Sequence, residues 1–396
     1  MNEKLRRMSE PNILIINHTF PPEQGVATYR VSKFAKYLSE LGWNVFVLTR
    51  DNNVSTNIGE NIPGVKVKRD KIESENNRLL NSPELLWSRP LISSAVDMIN
   101  EHDIDVIFHS APEFIPLCSL PVIKRKTSVP YVVDLRDPWS VGPSFSSDDL
   151  RGKLYDILTF IAEPIVIGES SLMVANTPNM NRIYSEKYDQ QSEKFHTLTN
   201  GFDEEIFDKE KRCNSEHFRI IYPGKFRTDM SELFQAYEKF IAGKNDVRFD
   251  HFGKKSGDIF KQVVEVTREL NIEDTIFFNG YVSRDRVISE MMNADVGIAV
   301  TRPNDPTHVP SKIYDYLACH LPIVCIDDSN GATHDILSDI EYAYVVERNN
   351  TDRIYQLLKG IYKEDPNCAE LRDVSRYTRK CITRDLSELL RSELPL

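Results

Sequence analysis

Short apolar runs alternate with segments of helical periodicity along most of the chain. In the first half these runs cover residues 13–16, 45–48, 106–108, 131–135 and 172–175. A run without polar positions is expected of a strand that is buried on both faces of a parallel sheet. Between the first two runs, apolar residues recur at helical spacing over residues 28–41. The pattern predicts parallel strands joined by crossover helices.

The second half of the chain repeats this pattern. Its predicted strands are 218–222, 247–252, 276–278, 296–300, 323–326 and 342–346, and its predicted helices are 231–240, 260–270 and 285–292. Residues 374–390 follow as an amphipathic helix. In the first half, residues 51–69 and 70–88 are polar and are predicted to form exposed loops with one edge strand.

Two similar halves predict two domains, since 396 residues exceed one ordinary core. Asn200 and Gly201 mark a turn, and the charged stretch 203–217 lacks an apolar pattern, so the junction is predicted there. The pattern predicts an α/β fold of two domains, each with a parallel sheet, and two lobes of this kind are expected to leave a cleft between them. Residues 1–200 are expected to form the first domain and residues 201–373 the second.

Composition and charge narrow the function classes. No apolar run approaches the ~20 residues that cross a bilayer, so the chain is not expected to span a membrane. Residues 1–11 are polar and basic and lack the apolar stretch of a secretory signal, which predicts a cytoplasmic protein. The net charge of -11 argues against nucleic acid as a partner. The cysteines form no C-x-x-C pair, so neither a zinc site nor a disulfide framework is predicted.

The segment 308–318 combines features of a phosphate site. Pro310 and Ser311 form a predicted helix start with Ser311 as the N-cap, which would turn free backbone N–H groups toward an anion. Asp315 lies one turn further along the same face, where its carboxylate could accept hydrogen bonds from two ribose hydroxyls. A capped helix with a solvated Asp is the competing interpretation.

Two loops after predicted first strands carry further candidates, because ligands of open parallel sheets lie beyond the carboxyl ends of the strands. Gly25 would let the backbone approach a phosphate or sugar, although a tight turn before a helix explains one glycine as well. In the second half, Gly224, Lys225 and Arg227 follow the strand, and the two cations could meet a diphosphate. Taken singly, Lys225 and Arg227 are interpreted as surface cations. Taken together with the segment 308–318, they favour a phosphate-binding site.

A third candidate group follows the predicted strand 131–135. Arg136 could contact the transferred sugar, a phosphate or the acceptor, and a structural ion pair with Asp134 or Asp137 is an equal alternative. Trp139 belongs either to the core or to a sugar-stacking face.

The histidines and several absent motifs argue against other chemistry. His18 and His109 lie just beyond predicted strands and His251 lies within one, without a His-x-x-x-His pair or a carboxylate partner. We therefore expect no metal and assign most histidines to structural roles. Because the sequence has no Gly-x-Ser-x-Gly elbow and no Walker lysine motif, hydrolase and P-loop functions are disfavoured.

Taken together, these segments resemble the retaining glycosyltransferases of family 4. That family has the GT-B fold, an α/β fold of two doubly wound, Rossmann-like domains that face a central cleft. The resemblance spans nearly the whole chain, and the order and spacing of its motifs are more specific than any one of them. The motifs are FPPEQG (20–25) with Arg30 and LGW (41–43), DLRDPW (134–139), NGFD (200–203), YPGKF (222–226), NGYV (279–282), ADV (294–296) and VPSKIYDYLA (309–318).

The resemblance implies a nucleotide-sugar donor bound mainly by the second domain and an acceptor held by the first. Lys225 falls where the family usually has a phosphate-binding Arg or Lys, and Asp315 falls where the second of two glutamates contacts the ribose. Enzymes with this fold typically work without a metal, so no cofactor is expected. The C-terminal helix, within residues 374–396, is expected to cross back onto the first domain.

Further donor contacts follow from the same resemblance. Tyr281 and Val282 fall where the backbone meets the base. Pro310, Ser311 and Lys312 would then flank the diphosphate. With Gly25, Gly224 and Arg227 from the loops, these residues complete the predicted donor site.

The sequence departs from the family pattern at three places. Thr307 stands where the first glutamate is expected, and Asp315 shortens the second. Arg136 stands where a histidine often follows the fifth strand. Gly25 and Val26 replace a pair of glycines.

The sequence therefore predicts a metal-independent, retaining glycosyltransferase of the hexosyl type. It would move a sugar from a UDP- or GDP-sugar to a glycan or lipid-linked acceptor, in cell-surface polysaccharide or glycoconjugate synthesis, with Lys225, Arg136 and Asp315 as catalytic residues. Thr307 and Arg136 motivate an alternative, a noncatalytic GT-B protein that binds a nucleotide sugar or a partner protein. An epimerase is less favoured, because no convincing pair of acid and base carboxylates can be named.

Peripheral contact with the inner face of a membrane stays open if the acceptor is lipid-linked. Lys4, Arg6 and Arg7, or the basic run 124–126, would supply the attraction to anionic lipid.

Overall fold

A computed structural model describes residues 10–23, 25–51, 62–72, 83–141, 150–206, 216–303, 305–328, 331–363 and 373–396. Within it the chain divides into two compact units. Unit 1 comprises Met1–Asn200 and Arg379–Leu396, and unit 2 comprises Gly201–Thr378. Lys4, Arg6 and Arg7, which the sequence offered for membrane contact, lie outside the described residues.

The strands and helices alternate along the chain. The strands are β1 (Asn12–Ile16), β2 (Asn44–Arg50), β3 (Val65–Asp70), β4 (Val106–Ala111), β5 (Tyr131–Leu135), β6 (Leu172–Ala175), β7 (Phe195–Thr197), β8 (Phe218–Pro223), β9 (Val247–Phe252), β10 (Ile276–Phe278), β11 (Val296–Val300), β12 (Ile323–Asp327) and β13 (Ala343–Glu347). The helices are α1 (Val26–Glu40), α2 (Pro83–His102), α3 (Phe114–Leu117), α4 (Leu120–Thr127), α5 (Leu150–Glu169), α6 (Pro178–Lys187), α7 (Ser231–Ile241), α8 (Asp258–Glu269), α9 (Arg284–Met292), α10 (Ser311–Ala318), α11 (Ala332–Leu337), α12 (Thr351–Lys363) and α13 (Arg379–Glu393).

Each unit has one parallel sheet with one switch point, which is the place where the strand order reverses. The strand order is β3-β2-β1-β4-β5-β6-β7 in unit 1 and β10-β9-β8-β11-β12-β13 in unit 2. All the pairings between these strands are parallel. The order reverses between β1 and β4, and again between β8 and β11. In doubly wound sheets the loops after two such strands diverge and leave a crevice that binds ligands.

Burial on both faces explains the uninterrupted apolar runs. Along β1, Ile13 and Ile15 pack in one hydrophobic cluster and Leu14 and Ile16 in another, because successive side chains point to opposite faces of a sheet. Helix α13 contributes Ile382, Leu386 and Leu390 to the first of these clusters. The C-terminal helix is therefore part of the core of unit 1.

Two sequence predictions fail in detail. The segment 70–88 is not all loop, because α2 begins at Pro83 and buries Trp87 completely. The C-terminal helix begins at Arg379 rather than at residue 374, because Tyr377 packs into the core of unit 2 before the chain enters the helix. The edge strand expected within 51–69 is present as β3.

Tyr316 of α10 forms hydrogen bonds to both strands at the switch point of unit 2. Strands β8 and β11 pair at Ile220 with Val296 and at Ile221 with Gly297. Next to this pair, the Tyr316 hydroxyl lies 2.9 Å from the Ile298 carbonyl oxygen and 3.2 Å from that of Ile221. The ring fits because Gly297 has no side chain: a Cβ there would lie 2.7 Å from the ring. Helix α10 is therefore anchored to both strands.

None of the described helices is long and apolar enough to cross a bilayer. The described cysteines Cys118, Cys319, Cys325 and Cys381 are free thiols, and Cys213 and Cys368 lie outside the described residues.

The packing of Tyr316 predicts that Gly297→Ala destabilises unit 2. The added Cβ must displace a fully buried ring, which costs about 1–3 kcal/mol in a packed core. Gly360→Ala in α12 is the matched control, because open space surrounds its Cβ position and helix propensity favours Ala by about 0.5–1 kcal/mol. Urea unfolding of both variants checks this, and equal midpoints would contradict the anchoring role of Tyr316.

Candidate functional site

Gly224 follows β8 and is exposed to solvent at the carboxyl end of this strand. It is exposed, with a φ of 94° that favours glycine. Its N–H donates to the Phe252 carbonyl at 2.7 Å, and its carbonyl accepts from Nε2 of His251 at 2.9 Å. Because a carbonyl only accepts, Nε2 carries the proton, and burial lowers the pKa of His251 to about 4 and keeps the ring neutral. The loop after β8 is thereby tied to β9.

Lys312 of α10 places its ammonium group beside Gly224. Its Nζ lies 3.4 Å from the centre of the Tyr222 ring, and 3.9 Å from where a Cβ would stand on Gly224. Burial and the positive charge of Arg227 lower the pKa of Lys312 to about 7. Within the described ranges, neither Lys312 nor Arg227 forms a salt bridge. A desolvated cation with a cation beside it is stabilised by an anion.

Arg227 and Arg302 extend this positive charge. Partial burial and the charge of Arg302 lower the pKa of Arg227. Arg302 follows β11, and its Nη1 lies 4.0 Å from Oδ2 of Asp305. We call Arg227, Arg302 and Lys312 the basic cluster. Lys225 is exposed on the same loop as Arg227.

The start of α10 differs from the prediction in one respect. Pro310 is the N-cap, and Ser311 is the exposed first helical residue without a capping hydrogen bond. The prediction that Ser311 caps the helix is wrong, because Pro310, with φ -58° and ψ 130°, already supplies the extended residue before the helix. The Pro310 carbonyl accepts from the Ile313 N–H at 3.0 Å. The first N–H groups of α10 remain at the helix end that attracts anions.

Asp315 has a cationic partner that the sequence did not reveal. Its Oδ1 lies 2.7 Å from Nη2 of Arg284, the first residue of α9. Tyr281 and Val282 come just before α9, so this ion pair brings the segment predicted to meet a base next to the residue predicted to meet a ribose. The Tyr281 side chain is 82% exposed, whereas Val282 packs against the core.

Asp305 lies beside Thr307, the residue that replaces the expected glutamate. Both are buried, and the Thr307 hydroxyl donates to Oδ1 of Asp305 at 3.0 Å. The loop after β11 therefore carries a carboxylate two residues before the position where the family pattern has one.

In unit 1, Arg136 contacts a residue other than those predicted. Asp134 is held by Arg30, whose Nη2 and Nε lie 2.8 and 3.0 Å from its two oxygens. The Arg136 Nε donates to the Ala111 carbonyl at 2.5 Å, and its Nη2 lies 3.9 Å from Oε2 of Glu113. The proposed ion pair of Arg136 with Asp134 is therefore replaced by one with Glu113.

His18 also faces Glu113, across the switch point of unit 1. Its Nδ1 lies 3.6 Å from Oε1 of Glu113, so the expectation that this histidine has no carboxylate partner is wrong. Burial raises the pKa of Glu113, but His18 and Arg136 outweigh it and hold the pKa below its ordinary value. The buried atoms Nε2 of His18, Nδ1 of His109 and Nη2 of Arg136 have no hydrogen-bond partner. Buried polar atoms are usually satisfied, so these three, which lie around Glu113, are candidates for contact with a ligand.

Gly25 and Trp139 have structural explanations. Gly25 is the exposed N-cap of α1 with a φ of 155°, and no atom lies within 4 Å of its Cβ position. Trp139 is buried and stacks on Phe114, with ring centres 5.4 Å apart, which assigns it to the core.

Across the described residues, no three His, Cys, Asp or Glu side chains are grouped as metal ligands would be. The residues that sequence reasoning missed are Arg284, Glu113 and the pairing of His18. Glu113 had one usable signal, its position directly after a buried strand at the switch point. Arg284 had none, because an exposed Arg at a helix start is common.

Two family models cover most of the chain. Residues 25–206 match the model described as Glycosyltransferase Family 4, and residues 203–380 match Glycosyl transferases group 1. A search of curated protein sequences gives no match.

Solved structures share the fold over the whole chain. A glycosyltransferase from Rickettsia africae is 15% identical with a TM-score of 0.70, covering 97% of this chain and 98% of that one. Anabaena HepE, solved in complex with UDP, is 14% identical with a TM-score of 0.70, covering 96% and 100%. The lipopolysaccharide outer core galactosyltransferase WaaB is 13% identical with a TM-score of 0.65, covering 97% and 100%. The likenesses confirm the predicted GT-B fold of two Rossmann-like domains.

The lowered pKa of Lys312 predicts a pH dependence of anion binding. An anion favours the charged ammonium, so binding takes up a proton above pH about 7, and affinity should fall by up to about tenfold per pH unit there. Burial and charge keep the pKa of His251 below this range and those of Tyr222 and Cys325 above it. Calorimetry with sulfate, whose own charge is constant here, measures the slope.

Lys312→Met is the decisive variant in this titration, because it should remove the slope. Lys225→Ala should keep it. A wild-type affinity that does not change above neutral pH would contradict the position of Lys312 at the anion.

Proposed function

Because the chain belongs to the glycosyl transferases of group 1, as its sequence predicted, we propose that it moves a sugar from a nucleotide-diphosphate sugar to a glycan or lipid-linked acceptor with retention of configuration. The hexosyl type, a role in cell-surface polysaccharide or glycoconjugate synthesis, and a cytoplasmic site of action are parts of the same proposal. Contact with the inner membrane face through residues 124–126 belongs to it if the acceptor is lipid-linked.

The observation that carries this proposal is the basic cluster at the switch point of unit 2. Lys312 and Arg227 are partly desolvated cations without salt bridges in the described part of the chain, next to the exposed Gly224 and the start of α10. The departing diphosphate gains negative charge in the transition state, so cations already in position lower the barrier. Lys225 would add a mobile cation from the same loop. We propose that these groups serve where other enzymes use a metal ion.

The donor would lie along α10 toward α9. We propose that Pro310, Ser311 and Lys312 flank the diphosphate, and that Asp315 accepts from the ribose hydroxyls while Arg284 holds its carboxylate in position. The exposed Tyr281 would then meet the base, with Val282 supporting the segment from the core. HepE is described with UDP and with UDP-glucose, which supports a UDP-sugar as first choice and a GDP-sugar as second.

The acceptor would be held by unit 1. His18, His109 and Arg136 each present a buried polar atom without a partner, and Glu113 supplies a carboxylate beside two of them. We propose that the reacting hydroxyl of the acceptor satisfies these atoms. In this assignment Arg136 is catalytic through contact with the substrate. We propose that Gly25, with its unobstructed backbone at the start of α1, contacts the donor.

The alternative is a noncatalytic protein that binds a nucleotide sugar. Thr307 and Arg136 motivate it, because they replace the usual glutamate and histidine. The buried Asp305 next to Thr307 weakens this alternative, since it provides a carboxylate in the same loop.

Binding of nucleotide diphosphates tests the donor site. Thermal unfolding with UDP, GDP, ADP and their sugars should show stabilisation by one base, about 2.7 kcal/mol at a ligand concentration ~100 times the dissociation constant. Turnover of the matching donor, measured as release of the nucleoside diphosphate, separates a glycosyltransferase from a noncatalytic binding protein. Stabilisation without turnover favours the noncatalytic protein, and no stabilisation by any nucleotide contradicts both.

Variants of the donor site should lower turnover by different routes. Lys225→Ala and Lys312→Met remove charge from the leaving group, and each should lower kcat by about 10²–10³-fold, as loss of a transition-state donor does. Asp315→Asn should mainly raise KM, by about tenfold, through weaker hydrogen bonds to the ribose.

Matched controls come from a surface ion pair of the same unit. Lys239 and Asp352 are exposed, with Nζ 2.9 Å from Oδ1, so Lys239→Ala and Asp352→Asn should leave turnover unchanged. A wild-type kcat for Lys225→Ala together with a wild-type KM for Asp315→Asn would contradict these assignments.

A further inference from the structure

Helix α5 of unit 1 exposes an unusual apolar face. Its inner side is buried through Thr159, Glu163, Val166 and Ile167. Its outer side exposes large hydrophobic side chains over more than two turns, each between 45% and 83% accessible. These are Ile157, Leu158, Phe160, Ile161 and Ile165, and we call them the outer face of α5.

This face is too apolar for a helix surrounded by water. A contiguous apolar patch on a soluble domain usually marks a surface that another molecule covers. The helix does not meet the requirements for a membrane span. A helix of this kind, with one face bound to protein and the other apolar, is suited to lie in the interface of a membrane rather than to cross it.

Cations stand at both ends of the outer face. Lys153 is exposed in the first turns of α5. At the other end, Lys124 Nζ donates to the Glu169 carbonyl at 2.5 Å and Lys194 Nζ donates to the Gly168 carbonyl at 3.0 Å. Burial, and then the nearby positive charge of Lys124, lower the pKa of Lys194.

Two more cations of α4 strengthen this end. Arg125 pairs with Glu169 at 2.5 Å, and Lys126 is exposed on the same turn. Among the described residues, the carboxylates with a recorded interaction with these cations are Glu169 and Glu193, fewer than the four cations at this end. Along the face itself, Asp156 is the one exposed acidic residue among the described side chains of 156–165.

We propose that the outer face of α5 inserts into the headgroup region of a membrane that contains anionic lipid. The apolar side chains enter the boundary of the acyl chains, and the cations at both helix ends contact lipid phosphates. The charge distribution favours lipid over a second copy of the chain. In a symmetric contact between two such faces, antiparallel helices would bring Lys153 of one copy against the cations at the far end of the other.

Co-sedimentation with vesicles tests this proposal. The full chain should sediment with vesicles of phosphatidylcholine and phosphatidylglycerol, and only weakly with phosphatidylcholine alone. Ile157→Ser, Phe160→Ser and Ile161→Ser combined should lower the partition coefficient by about a hundredfold or more, since each removes a large apolar side chain from lipid. Lys126→Gln with Lys153→Gln should weaken the preference for anionic vesicles, because two of the exposed cations at the helix ends are lost.

The matched control removes exposed apolar side chains elsewhere. Leu41 and Phe277 are 40% and 41% accessible, and Leu41→Ser with Phe277→Ser should bind vesicles as the wild type does. Thermal unfolding checks that all variants fold. A fluorescent probe of insertion is Phe160→Trp, whose emission should shift to the blue with anionic vesicles.

Two outcomes would overturn the proposal. If the wild type sediments as a dimer in the analytical ultracentrifuge and the triple serine variant as a monomer, a second copy covers the face. If the wild type binds neither kind of vesicle and is monomeric, the face serves another partner. This membrane contact rests on the proposed function, which includes contact through residues 124–126. Vesicle binding and donor turnover are separate measurements, so loss of vesicle binding with normal turnover overturns only the membrane contact.

Discussion

The hydroxyl of Tyr316 is the contact on which the site of unit 2 depends. It satisfies carbonyl oxygens of β8 and β11 at the place where the strand order of the sheet reverses. The same side chain anchors α10, the helix that also carries Lys312 and Asp315. The absence of a side chain at Gly297 is what allows the ring to lie there. One packing arrangement therefore fixes both the opening of the crevice and the charged groups at its edge.

The switch points of the two units use charge differently. In unit 2, Lys312 and Arg227 are partly desolvated without salt bridges in the described chain, so their electrostatic cost is relieved only when an anion binds. In unit 1, Arg30 and Asp134 form a buried pair with further hydrogen bonds from Ser110 and to the Leu198 carbonyl. A satisfied buried pair provides a rigid base, since breaking it is costly.

Local charge also matters more than net charge for the outer surface. The chain carries a formal charge of -11, which would repel an anionic membrane as a whole. Charges further apart than about 8 Å are largely screened at physiological salt, so the cations at the ends of α5 act on lipid phosphates almost independently of distant carboxylates. An acidic protein can therefore present a basic, apolar surface to a membrane.

The sequence by itself determined the parallel strands and the loops that carry the candidate residues, and the GT-B fold followed from the resemblance of its motifs to a known family. It did so because a strand buried on both faces must be apolar throughout, and because ligands of such sheets lie after the strands. It also proposed Gly224, Arg227 and Lys312 as site residues, which the structure brings close together, although it gave the cap of α10 to Ser311 instead of Pro310. These features depend on residues that are close in the sequence.

Only the tertiary structure decided which side chains become partners. Asp315 meets Arg284 from another helix, and Glu113 meets His18 from another loop, contacts that no local pattern encodes. The exposure of the apolar face of α5 was also decided by the tertiary structure. A helix that is apolar on both sides does not reveal from its periodicity which side the core covers, because that depends on the sheet packed against it.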